Sequence, residues 1–430
     1  MNIIIAVIIF GLVVFVHELG HYLLAKKNGI RVTEFSLGMG PRIASFVKGD
    51  TRYSLKLLPL GGSCMMLGED GTDDTQTDSF ISKSVFSRFS TILAGPVFNF
   101  VLALILSVIY VNMNGYDLPV VSDVTEKGAA YEAGLQDGDV IINYNGKKIS
   151  SYGDLAFLDY FNPMHTMQEI RMDIRRNDKI IQTTLRPEEY MKYLLGFDFN
   201  QNDSPVKVTA ILPGSPIEQK GLQAGDFIIS INRNEIESGD DLRDYLAENP
   251  LNGEEIELSY LHDNKKKNIL VKPKPYEYHN YGFSYGYKNY SAKGISALKY
   301  GYQEFIYWIK TGFKSIGYLV VGKVGLNQMT GPVGLINGIS ESVDQTQSLG
   351  IKALLSTFLT WSILLSSNLG LMNLLPIPAL DGGRLLFLLI EAVRGKPISR
   401  EKEAYIHAGG FVLLMCLMVF VFFNDIKALF

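Results

Sequence analysis

Residues 3–21 read IIIAVIIFGLVVFVHELGH: an uncharged apolar run that passes directly into His17, Glu18 and His21. With Tyr22-Leu23-Leu24-Ala25 continuing the pattern, the stretch has the length a helix needs to cross a bilayer, about 20 residues. It does not read as a cleaved secretory signal, because no positive segment precedes it and no small-residue cleavage site follows. On a helix, residues four apart share a face, so His17 and His21 can reach one ion with Glu18 beside them. Neutral imidazole suits Zn2+, and a neighbouring carboxylate can take a proton from water activated there. Ionisable groups inside a membrane helix are costly and mark function. The plainer alternative is an interfacial histidine pair with Glu18 reaching the headgroups.

Three more stretches carry an apolar excess: 92–111 (ILAGPVFNFVLALILSVIYV), 353–380 and 404–423. Membrane helices are therefore expected at 1–25, 88–112, 351–380 and 404–424. The composition agrees. The chain has 430 residues, 47% hydrophobic and 20% charged, with net charge −4 and mean hydropathy +0.12. Such a chain is too apolar to be disordered, and without a basic stripe it is not expected to bind nucleic acid. Its two cysteines, Cys64 and Cys416, exclude a disulfide framework and a four-cysteine zinc ribbon. Lys26, Lys27, Arg31, Arg42, Lys48, Arg52 and Lys56 follow the first span, and Arg384, Arg394, Lys396, Arg400 and Lys402 follow the third. The positive-inside rule then makes 26–87 and 381–403 cytoplasmic, and both termini and the segment 113–350 extracytoplasmic.

That outer segment is duplicated. GLQDGDVIINYNGKKISSYGDL (134–155) and GLQAGDFIISINRNEIESGDDL (221–242) share 12 of 22 positions at a constant offset of 87. Each copy reads as a Gly-Asp turn, a short strand, a turn at Asn145 or Asn232, a second strand and a helix. The pattern resembles bacterial PDZ domains, here expected at 113–200 and 201–276. That resemblance implies peptide ligands added to a sheet edge; rigid spacers or size filters are the alternative. Residues 276–290 (YEYHNYGFSYGYKNY) read as an aromatic linker. After it, apolar positions from Leu298 to Val320 recur at helical spacing, making 277–350 a linker with an amphipathic helix.

A catalytic zinc takes three protein ligands and leaves one position open. The third ligand must lie at the depth of His17 and His21. The third span ends in Asn373-Leu-Leu-Pro-Ile-Pro-Ala-Leu-Asp381-Gly-Gly, and Asp381 is the only acid between Asp344 and Glu391. Pro376 and Pro378 break the helix and Gly382-Gly383 permit a tight turn, so this carboxylate can face inward. His407 and Glu391 are the weaker alternatives.

An HExxH in the first span, Asn-x-x-Pro-x-Pro-x-Leu-Asp-Gly in the third and tandem PDZ-like copies between them resemble the site-2 protease family, in its bacterial sigma-factor-regulating RseP-type branch. The resemblance implies Zn2+ held by His17, His21 and Asp381, with Glu18 as general base. It further implies that Asn368 and Asn373 hold substrate backbone near the metal. It also implies that residues 53–69, with Gly61 and Gly62, form a membrane-dipping β-hairpin whose edge pairs with an unwound substrate. Gly331-Pro332-Val333-Gly334 matches a recurring family turn.

The resulting expectation is an α-helical polytopic membrane protein of four transmembrane helices. It carries two inserted extracytoplasmic PDZ domains (β-rich, α+β) and a cytoplasmic-side hairpin. It would be a zinc endopeptidase of a bacterial cell membrane. Its substrates would be single-span membrane proteins, anti-sigma-factor-like or remnant signal peptides, already shortened outside. The rivals are a membrane-anchored PDZ scaffold with a non-catalytic metal site and a metal transporter. The transporter needs a second ligand cluster at the outer ends of the spans, which the sequence does not supply.

Overall fold

The structure, a computed structural model, describes residues 2–69, 76–212, 214–322, 324–325 and 329–429. Residues 70–75 of the expected cytoplasmic loop lie outside these. The chain divides into two compact units, Met1–Leu118 with Asn289–Phe430, and Pro119–Lys288.

The first unit begins with helix α1 (Asn2–Lys27), strands β1 (Val32–Lys48) and β2 (Thr51–Met66), and helix α2 (Val85–Asn114). Among the described residues, four helices are long and apolar enough to cross a membrane: Asn2–Lys27, Val85–Asn114, Ile351–Asn373 and Glu401–Lys427. Small residues let the first two pack closely: a Cβ added at Gly20 of α1 would meet the Ala94 carbonyl of α2 at 2.5 Å. β1 and β2 fold over on themselves. Residues 34–37 pair with 62–65 on one side and with 52–55 on the other, while 62–66 pair on one side only among the described residues. The hairpin exposes Met39, Ile43, Phe46, Val47, Leu55, Leu57 and Leu58, an apolar surface that water does not favour.

The second unit contains both sequence copies. The first builds β3 (Tyr116–Ser122), α3 (Ala129–Glu132), β4 (Val140–Tyr144), β5 (Lys147–Lys148), α4 (Tyr152–Phe161), β6 (Ile170–Arg176) and β7 (Lys179–Leu185). After β8 (Glu188–Leu194) the second builds β9 (Phe197–Phe199), β10 (Val208–Ile211), β11 (Phe227–Ile231), β12 (Asn234–Glu235), α5 (Gly239–Glu248), β13 (Ile256–His262) and β14 (Lys265–Val271). Then follow β15 (Lys274–Asn280) and β16 (Ser284–Tyr290).

Repeated residues do repeated jobs. Ser151 with Asp154, and Ser238 with Asp241, form capping boxes at the starts of α4 and α5. Asn145 and Asn232 adopt positive φ, 48° and 49°, and each side-chain oxygen accepts a backbone N–H from a neighbouring strand, that of Arg171 or Glu257.

The expected boundary between the copies moves. Tyr281 sits in the first copy's core with Phe283 and Tyr285 packed on it, and β16 pairs with β3. Leu195, Phe197 and Phe199 belong to the second core, and β9 pairs with β10. The segment read as a linker is thus the end of β15, which pairs with β8, followed by β16, a strand of copy one, and copy two is inserted into copy one. A tyrosine-rich strand and a tyrosine-rich linker have the same composition; only the partner strand distinguishes them.

The first unit resumes with α6 (Ile295–Val320), α7 (Pro332–Gln347), α8 (Ile351–Asn373), α9 (Asp381–Arg394) and α10 (Arg400–Leu429). The third span was expected to run to 380 but stops at Asn373, and the expected loop 381–403 contains α9. Pro376 and Pro378 cannot continue a helix. The Gly-Pro-Val-Gly turn also finds its reason. Asp425 near the end of α10 accepts N–H bonds from Gly331 (2.9 Å) and Gly334 (2.8 Å) at the start of α7. A Cβ on Gly331 would meet Asp425 Oδ2 at 2.7 Å, and one on Gly334 would meet Oδ1 at 3.0 Å.

Candidate functional site

His17 and His21 project from one face of α1 and are 8% and 6% exposed. Asp381 reaches them as the first residue of α9. The turn before it is tightly built: Ala379 has φ +76°, and its N–H donates to His407 Nδ1 at 2.9 Å. A Cβ at Gly382 would meet the Leu374 carbonyl, and one at Gly383 the Ile377 carbonyl, each at 2.6 Å. Only glycines let α9 start this close to the end of α8.

The three candidate ligand atoms form a nearly equilateral triangle. His17 Nε2 lies 3.2 Å from His21 Nε2, and these nitrogens lie 3.2 and 3.4 Å from Asp381 Oδ2. Bonds of about 2.0–2.1 Å in tetrahedral geometry place ligand atoms roughly 3.3–3.4 Å apart. Asp381 Oδ2 is buried with no hydrogen-bond partner among the described residues.

The far sides of the rings fix which nitrogens are free. His21 Nδ1 lies 3.0 Å from the Thr91 carbonyl, which can only accept, so Nδ1 carries the hydrogen and Nε2 a bare lone pair. His17 Nδ1 faces the Asn99 amide at 3.3 Å, and Asn99 Oδ1 is buried without a partner. A half turn of that amide lets Oδ1 accept the Nδ1–H bond and leaves Nε2 of His17 bare as well. Two bare nitrogens and an orphaned carboxylate oxygen at these separations fit a zinc ion.

A cavity of about 460 Å³ adjoins the triangle, lined by His17, Glu18, His21, Asp381, Arg384, Glu69 and the strand residues 62–66. Glu18 meets β2 here: a Cβ on Gly62 would lie 2.8 Å from Glu18 Cγ. Arg384 and Glu69 form an ion pair on the wall. Burial pushes the Cys64 thiol up, so it stays protonated beside the cavity.

The structure thus brings together His17, Glu18, His21, Asp381 and Gly62. Gly61, at φ +82°, lies next to the lining against Met39. Asn368 and Asn373 are not among the residues that line this cavity, and Asn368 Oδ1 faces Gly312 of α6. The two weaker ligand candidates have other partners: Glu391 takes a bidentate pair from Arg88 (2.6 and 3.1 Å) and His407 holds Ala379. Sequence reading missed Asn99, Thr91 and Gly95. Asn99 was visible as the one carboxamide in the run 92–111. Gly95 gave no signal, yet its Cβ would lie 2.6 Å from His21 Cε1 and 2.8 Å from His17 Cε1.

Comparison with known proteins places the site in context. The family described as Peptidase family M50 matches residues 5–417. Zinc metalloprotease RasP of Geobacillus kaustophilus (strain HTA426) is 31% identical, covering 99% of this chain and 97% of that protein. Regulator of sigma-W protease RasP of Bacillus subtilis (strain 168) is 32% identical, covering 99% and 98%. Regulator of sigma E protease of Haemophilus influenzae is 29% identical, covering 97% of each. Among solved structures, the HtrA3 PDZ domain bound to a phage-derived ligand aligns with 21% of this chain and 92% of its own, at 19% identity and TM-score 0.19.

Proposed function

The chain belongs to peptidase family M50, the site-2 proteases, and is a multi-pass zinc metalloprotease; from this premise we propose that it cuts single-span membrane proteins within the bilayer. The substrates would be anti-sigma-factor-like proteins or remnant signal peptides, shortened outside beforehand. The names of the B. subtilis and H. influenzae relatives, regulators of sigma-W and sigma E, support the first class. The observation that carries the reading is the triangle of His17 Nε2, His21 Nε2 and Asp381 Oδ2, set where the apolar run of α1 ends.

His17, His21 and Asp381 would hold the ion. Zinc, when bound, supplies Lewis-acid polarisation of the scissile carbonyl and of the attacking water. Glu18, on the cavity wall beside β2, takes the proton from that water and passes it to the leaving amine. A substrate helix must unwind before it can be cut, because its backbone groups are already paired. The one-sided edge at 62–66 offers N–H and C=O groups for that strand. Gly61 and Gly62 keep side chains out of its path. Asn368 and Asn373, outside the cavity lining, would meet flanking substrate on the α8 side rather than the scissile bond.

The protein would sit in a bacterial cell membrane with the hairpin at the cytoplasmic face. Both termini and the Pro119–Lys288 unit would lie outside, an orientation the basic loops support. In that unit the two copies would be PDZ domains that exclude bulky substrates or bind peptides.

The test is cleavage, in liposomes, of a tagged single-span substrate with a short outer stub. Wild type should cut within the span. Glu18→Gln should keep its zinc and fail to cut. Equal cutting by both would refute the base assignment. Zinc in both with no cutting of any truncated substrate would favour the scaffold with a non-catalytic metal.

A further inference from the structure

β8 and β15 form a two-stranded antiparallel ladder at the junction of the two copies: β8 leads into the inserted copy and β15 leads out. His279 stands opposite Glu189, and Glu277 opposite Met191. Side chains alternate along a strand, so Glu189, Glu277 and His279 share one face. The other ladder positions on that face are Met191, Tyr193 and Pro275, none of them cationic. Lys192 is on the opposite face, over the ring of Tyr278 at 5.3 Å.

His279 is 4% exposed. Its Nδ1 lies 3.1 Å from the His165 carbonyl, so Nδ1 carries the hydrogen and a neutral ring leaves Nε2 with a bare lone pair. Nε2 is buried and has no hydrogen-bond partner among the described residues. It faces Glu189 Oε1 at 3.7 Å and Glu277 Oε1 at 3.9 Å, and the three ligand atoms lie within 4.8 Å of one another. Both glutamates are more than half exposed, so ions reach the cluster from solvent.

The geometry points to a second metal site, formed by His279, Glu189 and Glu277, that takes a borderline divalent cation such as Zn2+. One imidazole nitrogen and two carboxylate oxygens are ligands such an ion accepts, with water completing the shell. The Nδ1–H bond to a backbone carbonyl is the contact that orients metal-binding imidazoles, and it repeats what Thr91 does for His21. An ion here fastens the strand entering the inserted copy to the strand leaving it. The site is independent of the proteolytic centre, and neither reading needs the other.

The test counts zinc on the full-length chain in detergent, after equilibration with Zn2+ and removal of excess. Wild type should hold two equivalents. The exposed-residue variants Glu189→Gln and Glu277→Gln, and His279→Gln, should each hold one. His17→Ala/His21→Ala should also hold one, and combining it with Glu189→Gln should leave none. A wild-type count of one, or two equivalents retained in Glu189→Gln and Glu277→Gln, overturns the proposal. Glu189→Gln and Glu277→Gln lie on the surface, so the result does not depend on whether the buried His279→Gln variant folds.

Discussion

Gly95→Ala adds one methyl group to the middle of α2, and the structure says where it lands. The new Cβ would meet His21 Nε2 first and lie 2.6 Å from Cε1 of the same ring, whereas ordinary contact begins at 3.4 Å. The ring must therefore withdraw by about 0.8 Å at that carbon and by more at Nε2, several times the roughly 0.2 Å tolerance of a metal–ligand distance. His17 is pressed as well, with Cε1 at 2.8 Å. The rings cannot retreat freely, because Nδ1 of His21 is tied to the Thr91 carbonyl of the same helix. Misplacement on this scale costs about a hundredfold in rate. Pro96 follows directly, and its ring disfavours helical geometry at a preceding residue that carries a Cβ, so alanine's usual advantage over glycine does not apply and thermal stability reads that local cost separately. The assay compares dialysis-resistant zinc, cleavage rate and thermal stability for Gly95→Ala and wild type, both carrying the surface change Glu189→Gln so that only one site is counted. The expected result is an intact, helical protein that loses its zinc readily and cuts about a hundredfold more slowly. Full zinc retention with unchanged cleavage would refute the argument that Gly95 makes room for the imidazoles.

Gly62→Ala tests the other wall. Its Cβ would crowd Glu18 Cγ at 2.8 Å and Val14 Cγ1 at 3.0 Å but no zinc ligand, so zinc content should hold while cleavage falls. Loss of zinc in this variant would show that the hairpin supports the ion rather than the base. Asn99→Ala removes the partner of His17 Nδ1 and should weaken zinc binding about 10- to 100-fold, read by chelator competition. Asp425→Ala leaves the N–H groups of Gly331 and Gly334 without their acceptor and should cost about 1–3 kcal/mol in thermal unfolding. In the hairpin, hydrogen bonds from Arg42 hold the Glu34 carboxyl at about 2, below its ordinary 4.5. A depressed carboxyl contributes stability that is complete above about pH 4.5 and is lost as pH falls through about 2. Arg42→Ala should therefore make the hairpin protease-sensitive at neutral pH, with little further loss on acidification. Wild-type resistance should decline only as the medium is acidified.

The sequence by itself determined the parts whose signal is local. Apolar runs of bilayer length located the spans, and the i, i+4 spacing put His17 and His21 on one face of a helix. Asp381 was legible because an acid bracketed by prolines and glycines has few reasons to end a membrane segment. The duplicated turns were legible because Asn145 and Asn232 must each adopt a left-handed conformation that few side chains tolerate.

What depended on a partner far along the chain was decided only by tertiary structure. The tyrosine-rich stretch 276–290 reads equally as linker or strand until β8 is beside its first half and β3 beside its second. Glycine carries no chemistry in a sequence, yet Gly95 is where two imidazoles pass α2. The Gly-Pro-Val-Gly turn acquires its reason only when Asp425, on another helix, reaches its N–H groups. Glu189 lies some ninety residues from Glu277 and His279 in sequence, and only strand register brings the three onto one face. Periodicity is a property of one element and can be read from it; a contact belongs to two elements, and the second is fixed only when the chain has folded.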